Sequence, residues 1–91
     1  MSFIISLTEK YQQREAKFLK RHPELKSAYA KALRLLAENP FYPSLKLHRL
    51  SGNLSDLHAV SINLSYRITL ELLITETEII LVNVGDHQDV Y

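Results

Sequence analysis

A chain of 91 residues buries only one hydrophobic core, so we expect a single domain spanning residues 1–91. Hydrophobic residues make up 46% and charged residues 23% of the chain, a balance typical of soluble globular proteins that excludes a disordered polyelectrolyte. The lack of cysteine excludes a disulfide framework and a thiolate metal site. The chain starts with no basic leader and only a short apolar run, which predicts a cytoplasmic protein with no membrane partner.

The small net charge of +1 hides an asymmetry between the two halves of the chain. Residues 1–50 hold ten Lys or Arg against four Asp or Glu, a balance of +6, whereas residues 51–91 hold Arg67 against six acidic residues, a balance of −5. A basic half attracts a phosphate backbone through counterion release. The plainer alternative is that these cations only solvate helices.

The first half of the sequence predicts one strand and two helices. Apolar and polar residues alternate over 2–7, which indicates a β-strand. Thr8 is a good N-cap for a helix over 9–21. Pro23 suits the first turn of a second helix, whose apolar residues recur at helical spacing until Asn39, just before a proline.

In the second half of the sequence, apolar residues recur at every second position. Alternation over 58–65 and again over 66–74, with a tight link at Ser65, predicts a β-hairpin. A turn at 75–77 leads to a last strand over 79–84, whose nearly continuous apolar character predicts a central position in the sheet, with Gly85 at its end.

The order β-α-α-β-β-β predicts an α+β domain, in which an antiparallel-rich sheet carries two N-terminal helices packed on one face. The other face is then free of helices. Arg67, Thr69, Ser61 and Asn63 share the polar parity of their strands, so we expect them on this helix-free face. His58 falls on the apolar parity instead.

Three segments carry a resemblance to a known family. They are the Leu-His-Arg-Leu-Ser-Gly-Asn-Leu stretch over 47–54, the Tyr-Arg-Ile over 66–68 that opens a strand, and the ending Val-Gly-Asp-His-Gln-Asp-Val-Tyr over 84–91. Each motif occurs by chance in many proteins, but their order and spacing over the whole chain resemble RelE/StbE and YafQ-type toxins of the RelE/ParE superfamily.

This resemblance implies a RelE-like fold and a toxin of a type II toxin-antitoxin system. It implies a ribosome-dependent endonuclease that cleaves mRNA when the RNA 2′-hydroxyl attacks the adjacent phosphodiester and leaves a 2′,3′-cyclic phosphate. It also implies that no metal or other cofactor takes part, and that the partners are a cognate antitoxin, the ribosome and mRNA.

The expected catalytic residues are His87, Arg67, Tyr91 and His48. Imidazole suits proton transfer because its ordinary pKa lies near neutral pH, so His87 is the first candidate for general acid or base. Arg67 presents a planar, permanently charged fork that would stabilise the phosphorane, unless it forms an ion pair with Glu71 instead. By family analogy Tyr91 stacks on or orients the substrate base, or takes part in proton transfer.

His48 matches a position where YafQ-type toxins carry a functional histidine, and we expect it in a basic loop with Lys46 and Arg49. It is the candidate for the second proton-transfer group, while Lys46 and Arg49 would contact RNA phosphates. Ser61 and Ser65 stand where YafQ-type toxins carry a histidine and an aspartate, so we expect them to contact RNA rather than transfer protons.

Two other functions remain open on the sequence. A catalytically degenerate relative would serve as a binding module for an antitoxin, which Ser61, Ser65 and the low net charge favour. A ParE-like protein would share the fold and inhibit gyrase without nuclease chemistry, although it would not need His87 and Tyr91. A generic nucleic-acid-binding domain is the least specific alternative.

Overall fold

The computed structural model describes residues 2–86, so the predicted site residues His87 and Tyr91 lie outside the described part of the chain. Within it, no helix is long and apolar enough to cross a membrane. The elements are β1 (Ile4–Leu7), α1 (Glu9–Arg21), α2 (Lys26–Glu38), β2 (His48–Arg49), β3 (His58–Ser61), β4 (Tyr66–Leu73) and β5 (Glu78–Asp86), with short 3-10 turns at Pro23–Leu25, Pro43–Leu45 and Gly52–Leu54.

The five strands form one sheet in the order β1-β5-β4-β3-β2. β1 runs parallel to β5, and the other neighbours are antiparallel. The predicted α+β class and the central position of the last strand are therefore confirmed. β2 is an additional edge strand, because His48 and Arg49 pair with β3 where a loop was expected.

Local sequence signals place α1 as predicted. The Thr8 hydroxyl accepts a hydrogen bond from the Tyr11 amide at 3.1 Å, which satisfies one of the amides that the first helical turn leaves unpaired. The second helix begins three residues later than predicted, because Pro23 starts a 3-10 turn that precedes Lys26. It ends at Glu38, and Asn39 is its C-cap.

Two predicted strand ends are wrong. β3 ends at Ser61, because the chain turns over 62–65: the Ile62 amide donates to the Tyr66 carbonyl at 2.9 Å and closes the hairpin. At the other end of the sheet, Gly85 does not terminate β5. It pairs with Arg67, and the strand continues to Asp86 because β4 still offers Tyr66 as a partner.

The two helices pack on one face of the sheet, as predicted. Val60, Ile68, Leu70 and Leu81 are fully buried there in a single core with helix residues such as Leu36. Burying such aliphatic side chains contributes about 1.5 to 3 kcal/mol each. This face gives the domain its stability, which leaves the opposite face available for polar groups.

The helix-free face is not uniformly open. Thr69 lies there by strand parity but is only 1% exposed, and its partner Ala59 on β3 is also buried. The expectation that Thr69 belongs to an open polar surface is therefore wrong. The predicted site residues Ser61 and Arg67 of this face are partly exposed and lie next to the β3–β4 turn.

A bulge in β5 connects the sheet to α1. The register steps from Thr69 opposite Asn83 to Leu70 opposite Leu81, so Val82 is an extra residue with no partner in β4. Its carbonyl accepts a hydrogen bond from Nη1 of Arg14 at 2.8 Å. The bulge explains why Leu81 and Val84, three residues apart, both belong to the core.

Candidate functional site

A cavity of about 260 Å³ opens at the β3–β4 turn, and we call it the Arg67 cavity. It brings together Lys46, Ser61 and Arg67 from three separate parts of the chain, and all three are predicted site residues. Ser61 and Arg67 are direct partners in the β3–β4 ladder. The remaining lining residues are Ser44, Ile62, Asn63 and Leu64.

Arg67 is held over the turn by carbonyl groups. Its Nη1 donates to the carbonyl oxygens of Asn63 at 2.8 Å, Tyr66 at 3.2 Å and Leu64 at 3.3 Å. The alternative ion pair with Glu71 is not formed within residues 2–86. Because a guanidinium has five N–H donors, Arg67 keeps others for a ligand while one nitrogen fixes its orientation.

Lys46 reaches the Arg67 cavity through an unusual backbone conformation. It follows the 3-10 turn at Pro43–Leu45 and has φ 51° and ψ 45°, the left-handed region that non-glycine residues rarely adopt. Its amide donates to the Pro43 carbonyl at 3.1 Å. A strained lysine beside an arginine is consistent with a site where charge is needed at a fixed place.

His48 lies on the same face of the sheet but does not line the cavity. Its partner in β3 is Ala59, two residues from Ser61, so the side chains of His48 and Ser61 project to the same side. Nδ1 of the exposed His48 ring is 3.0 Å from the Lys46 carbonyl. Because a carbonyl only accepts, this contact places a proton on Nδ1.

Two of the predicted RNA-binding residues lie away from the cavity. Arg49 pairs with His58, which places it on the opposite side of β2 from His48, and its Nε donates to the Ser55 carbonyl at 2.7 Å. Ser65 is exposed in the hairpin turn and does not line the cavity. The structure therefore groups Lys46 with Arg67 rather than with Arg49.

Asn63 has a role that the sequence reading did not assign. Its Oδ1 accepts the amides of Ser65 and Tyr66, both at 2.9 Å, while its carbonyl accepts from Arg67. An asparagine that accepts from amides two and three residues later is a known turn signal. The sequence predicted a strand here instead of a turn, because the apolar residues on either side of Asn63, Ile62 and Leu64, continue the strand alternation.

His58 is half-buried on the helix side of the sheet, as its parity predicted. Its Nδ1 has no hydrogen-bond partner among the described residues. Burial lowers its pKa below the ordinary value of 6.5, and the charges of Arg49 and His48 lower it further. This histidine does not line the Arg67 cavity. Among residues 2–86, no group of three or more His, Asp or Glu side chains is arranged to hold a metal ion.

No family model matches the chain, and no curated protein sequence does. Solved structures match over nearly its whole length. A chain of the E. coli DinJ-YafQ toxin-antitoxin complex is 14% identical, with a TM-score of 0.78, 100% of this chain covered and 99% of that one. A metal-bound toxin from Helicobacter pylori is 24% identical, with a TM-score of 0.71 and full coverage of both chains. The YoeB/ParE toxin from Agrobacterium tumefaciens is 14% identical, with a TM-score of 0.72 and coverage of 93% and 99%. At identities below 25%, the likeness establishes a common fold.

Proposed function

We propose that this chain, which has the fold of the RelE/ParE-superfamily toxins, is the toxin of a toxin-antitoxin pair and cleaves mRNA on the ribosome. The observation that carries the proposal is the Arg67 cavity, where Arg67 and Lys46 meet on the face that the helices leave uncovered. An arginine and a lysine at a cavity of about 260 Å³ suit a phosphodiester.

The reaction needs proton transfer and charge stabilisation. The 2′-oxygen forms a bond to phosphorus, the bond from phosphorus to the 5′-oxygen breaks, and a 2′,3′-cyclic phosphate remains. A base takes the 2′-hydroxyl proton, and an acid protonates the departing 5′-oxygen. Arg67 stabilises the extra negative charge of the phosphorane, and Lys46 binds a neighbouring phosphate oxygen.

The histidines supply the proton transfers in this proposal. His48, which contacts the Lys46 carbonyl through Nδ1 and lies on the face that carries Arg67, is one proton-transfer group. His87 is the second proton-transfer group and Tyr91 stacks on the substrate base. Ser61, which lines the cavity, contacts RNA by its hydroxyl.

The protein partner in this proposal is an antitoxin in the cytoplasm. The structural neighbour YafQ is known in a complex with DinJ. Leu64 lies at the Arg67 cavity and is 86% exposed, an unusual position for a leucine next to two cations. An antitoxin segment that covers Leu64 would stabilise the complex by apolar burial and close the cavity to RNA.

A catalytically degenerate binding module is the second candidate. The observation in its favour is that Ser61 occupies the cavity position beside Arg67, and no histidine lines that cavity among the described residues. Serine is a poor proton-transfer group at neutral pH. Such a protein would still bind an antitoxin and would not harm cells.

The experiment that separates these functions is controlled expression in growing cells, with primer-extension mapping of a translated reporter mRNA. Wild type is compared with Arg67→Ala and His87→Ala, and with Arg34→Ala as a control that removes an exposed cation of α2. We expect codon-phased cuts with wild type and Arg34→Ala only. Growth arrest without cuts would point to gyrase, and unchanged growth and message would support the binding module.

A further inference from the structure

A second cavity, of about 220 Å³, lies between α1 and β5, and we call it the α1 cavity. Arg14, Lys17 and Arg21 line it from α1 at spacings of three and four residues, which place them along one side of the helix. Its other lining residues are Phe18, His22, Asn83 and Val84.

The walls of the α1 cavity are held by packing and hydrogen bonds. Arg14 is fixed by its bond to the carbonyl of Val82 in the β5 bulge, at 2.8 Å. The His22 ring lies against two aromatic rings, with centroids 5.1 Å from Phe18 and 4.8 Å from Tyr66. These contacts order one arginine and the histidine before any ligand arrives, which lowers the entropic cost of binding.

The charged side chains that line the α1 cavity are basic. Lys17 and Arg21 are exposed, and among residues 2–86 no carboxylate lines the cavity. One acidic group lies next to a lining residue, because Oε2 of Glu24 is 3.5 Å from Nδ1 of His22. A concave surface with three basic side chains focuses positive potential and attracts anions.

We propose that the α1 cavity binds a phosphate of the RNA strand at a position flanking the nucleotide held by the Arg67 cavity. The inference rests on the proposed function, because that function makes RNA the ligand. Val84 lines the α1 cavity, and the next residue, Gly85, pairs with Arg67. The two cavities therefore lie at the same end of the sheet.

An RNA backbone suits the α1 cavity better than an amphipathic protein segment does. Such a segment needs exposed apolar surface to bury, but Phe18 and Val84 are each only 6% exposed and form the floor. The side chains that the cavity exposes to solvent are those of Lys17 and Arg21. Their role needs charge at a position rather than base recognition, so the contact should be independent of sequence.

The test uses the purified full chain and a fluorescent 2′-O-methyl oligoribonucleotide, which lacks the nucleophile and is not cleaved. The dissociation constant is measured at several salt concentrations for wild type, for Lys17→Gln/Arg21→Gln and for Lys26→Gln/Arg34→Gln. The last variant removes the same charge from exposed positions on α2. Urea unfolding verifies that all three proteins are folded.

We expect the cavity variant to lower the slope of log affinity against log salt by about 0.7, since each phosphate contact to a single strand contributes about 0.7 and the cavity binds one phosphate. The α2 variant should keep the wild-type slope. An equal loss in both variants would mean a general charge effect, and no loss in the cavity variant would mean that RNA does not contact the cavity. Either result overturns the proposal.

An acidic protein partner is distinguished by repeating the titration with the antitoxin in place of RNA. If the cavity variant loses affinity for the antitoxin but not for RNA, the cavity is a protein-docking site and the proposal is wrong. These measurements need neither ribosome nor cleavage. Loss of the proposed nuclease activity and failure of this RNA contact are therefore separate outcomes.

Discussion

The two faces of the sheet use polar groups in different ways. On the helix side, Tyr11 and Tyr29 share a hydrogen bond of 2.6 Å between their hydroxyl groups, and Tyr29 donates to Oε2 of Glu15 at 2.6 Å. These side chains satisfy one another. At the helix-free face, Arg67 is fixed by backbone carbonyls through one nitrogen and keeps donors for a ligand. Stability and the proposed chemistry therefore reside on opposite faces and can be changed separately.

The largest effect on stability should come from the helix side. Ile68→Ala removes a fully buried side chain from the core, and we expect the free energy of unfolding to fall by about 2 to 5 kcal/mol. Leu64→Ala on the hairpin turn is the matched change, because Leu64 is 86% exposed. It should alter stability by less than about 0.5 kcal/mol. Urea denaturation of both variants measures the difference, and similar losses would contradict the separation of the faces.

Substitution of Arg67 should alter mRNA cleavage rather than the free energy of unfolding. Arg67→Ala removes the charge that stabilises the phosphorane, and we expect mRNA cleavage to fall about 100- to 1,000-fold. Arg67→Lys keeps the charge but loses the planar fork, so its activity should lie between those of Arg67→Ala and wild type. Cleavage rates on programmed ribosomes measure both changes. Full activity of Arg67→Ala would remove Arg67 from the mechanism.

Tyr29 offers a test of the buried network. Tyr29→Phe leaves the Tyr11 hydroxyl and the Glu15 carboxylate without their shared partner, so stability should fall by about 1 to 3 kcal/mol while the cleavage rate is retained. Tyr42→Phe serves as the control, because Tyr42 is 40% exposed. A reduced cleavage rate in the folded Tyr29→Phe protein would link the network to function.

The same network predicts a loss of stability in alkali. Burial raises the pKa of Tyr11 and of Tyr29 above the ordinary value of 10.0, and the neighbouring Glu15 carboxylate raises both further. The folded protein therefore holds these protons more tightly than the unfolded chain does. Their contribution is fully present below pH 10.0 and declines as the pH rises above it. The free energy of unfolding should fall less steeply with pH in Tyr29→Phe than in wild type.

Short-range signals in the sequence were sufficient for most of the elements, although they missed β2 and two strand ends, but they were not sufficient for the site. Thr8 marked the start of α1, and the period of two placed Ser61 and Arg67 on one face, because these patterns depend on neighbours a few residues apart. The meeting of Lys46 with Arg67 depends on a left-handed backbone at a non-glycine residue, which no local pattern indicates. The buried position of Thr69 likewise depends on its surroundings in the assembled sheet.

Asn63 contributes both to the stability of the β3–β4 turn and to the position of Arg67. Its side chain accepts two amides of the turn, and carbonyl groups of the same turn hold Arg67. Asn63→Ala removes an acceptor of two amides, so we expect a stability loss of about 1 kcal/mol and a fall in cleavage smaller than that of Arg67→Ala. Asn63→Asp keeps an acceptor oxygen at the same position and should restore most of the stability. If Asn63→Ala lowers stability but leaves the cleavage rate unchanged, the carbonyl contacts do not set the position of Arg67, and the guanidinium is oriented by the substrate itself.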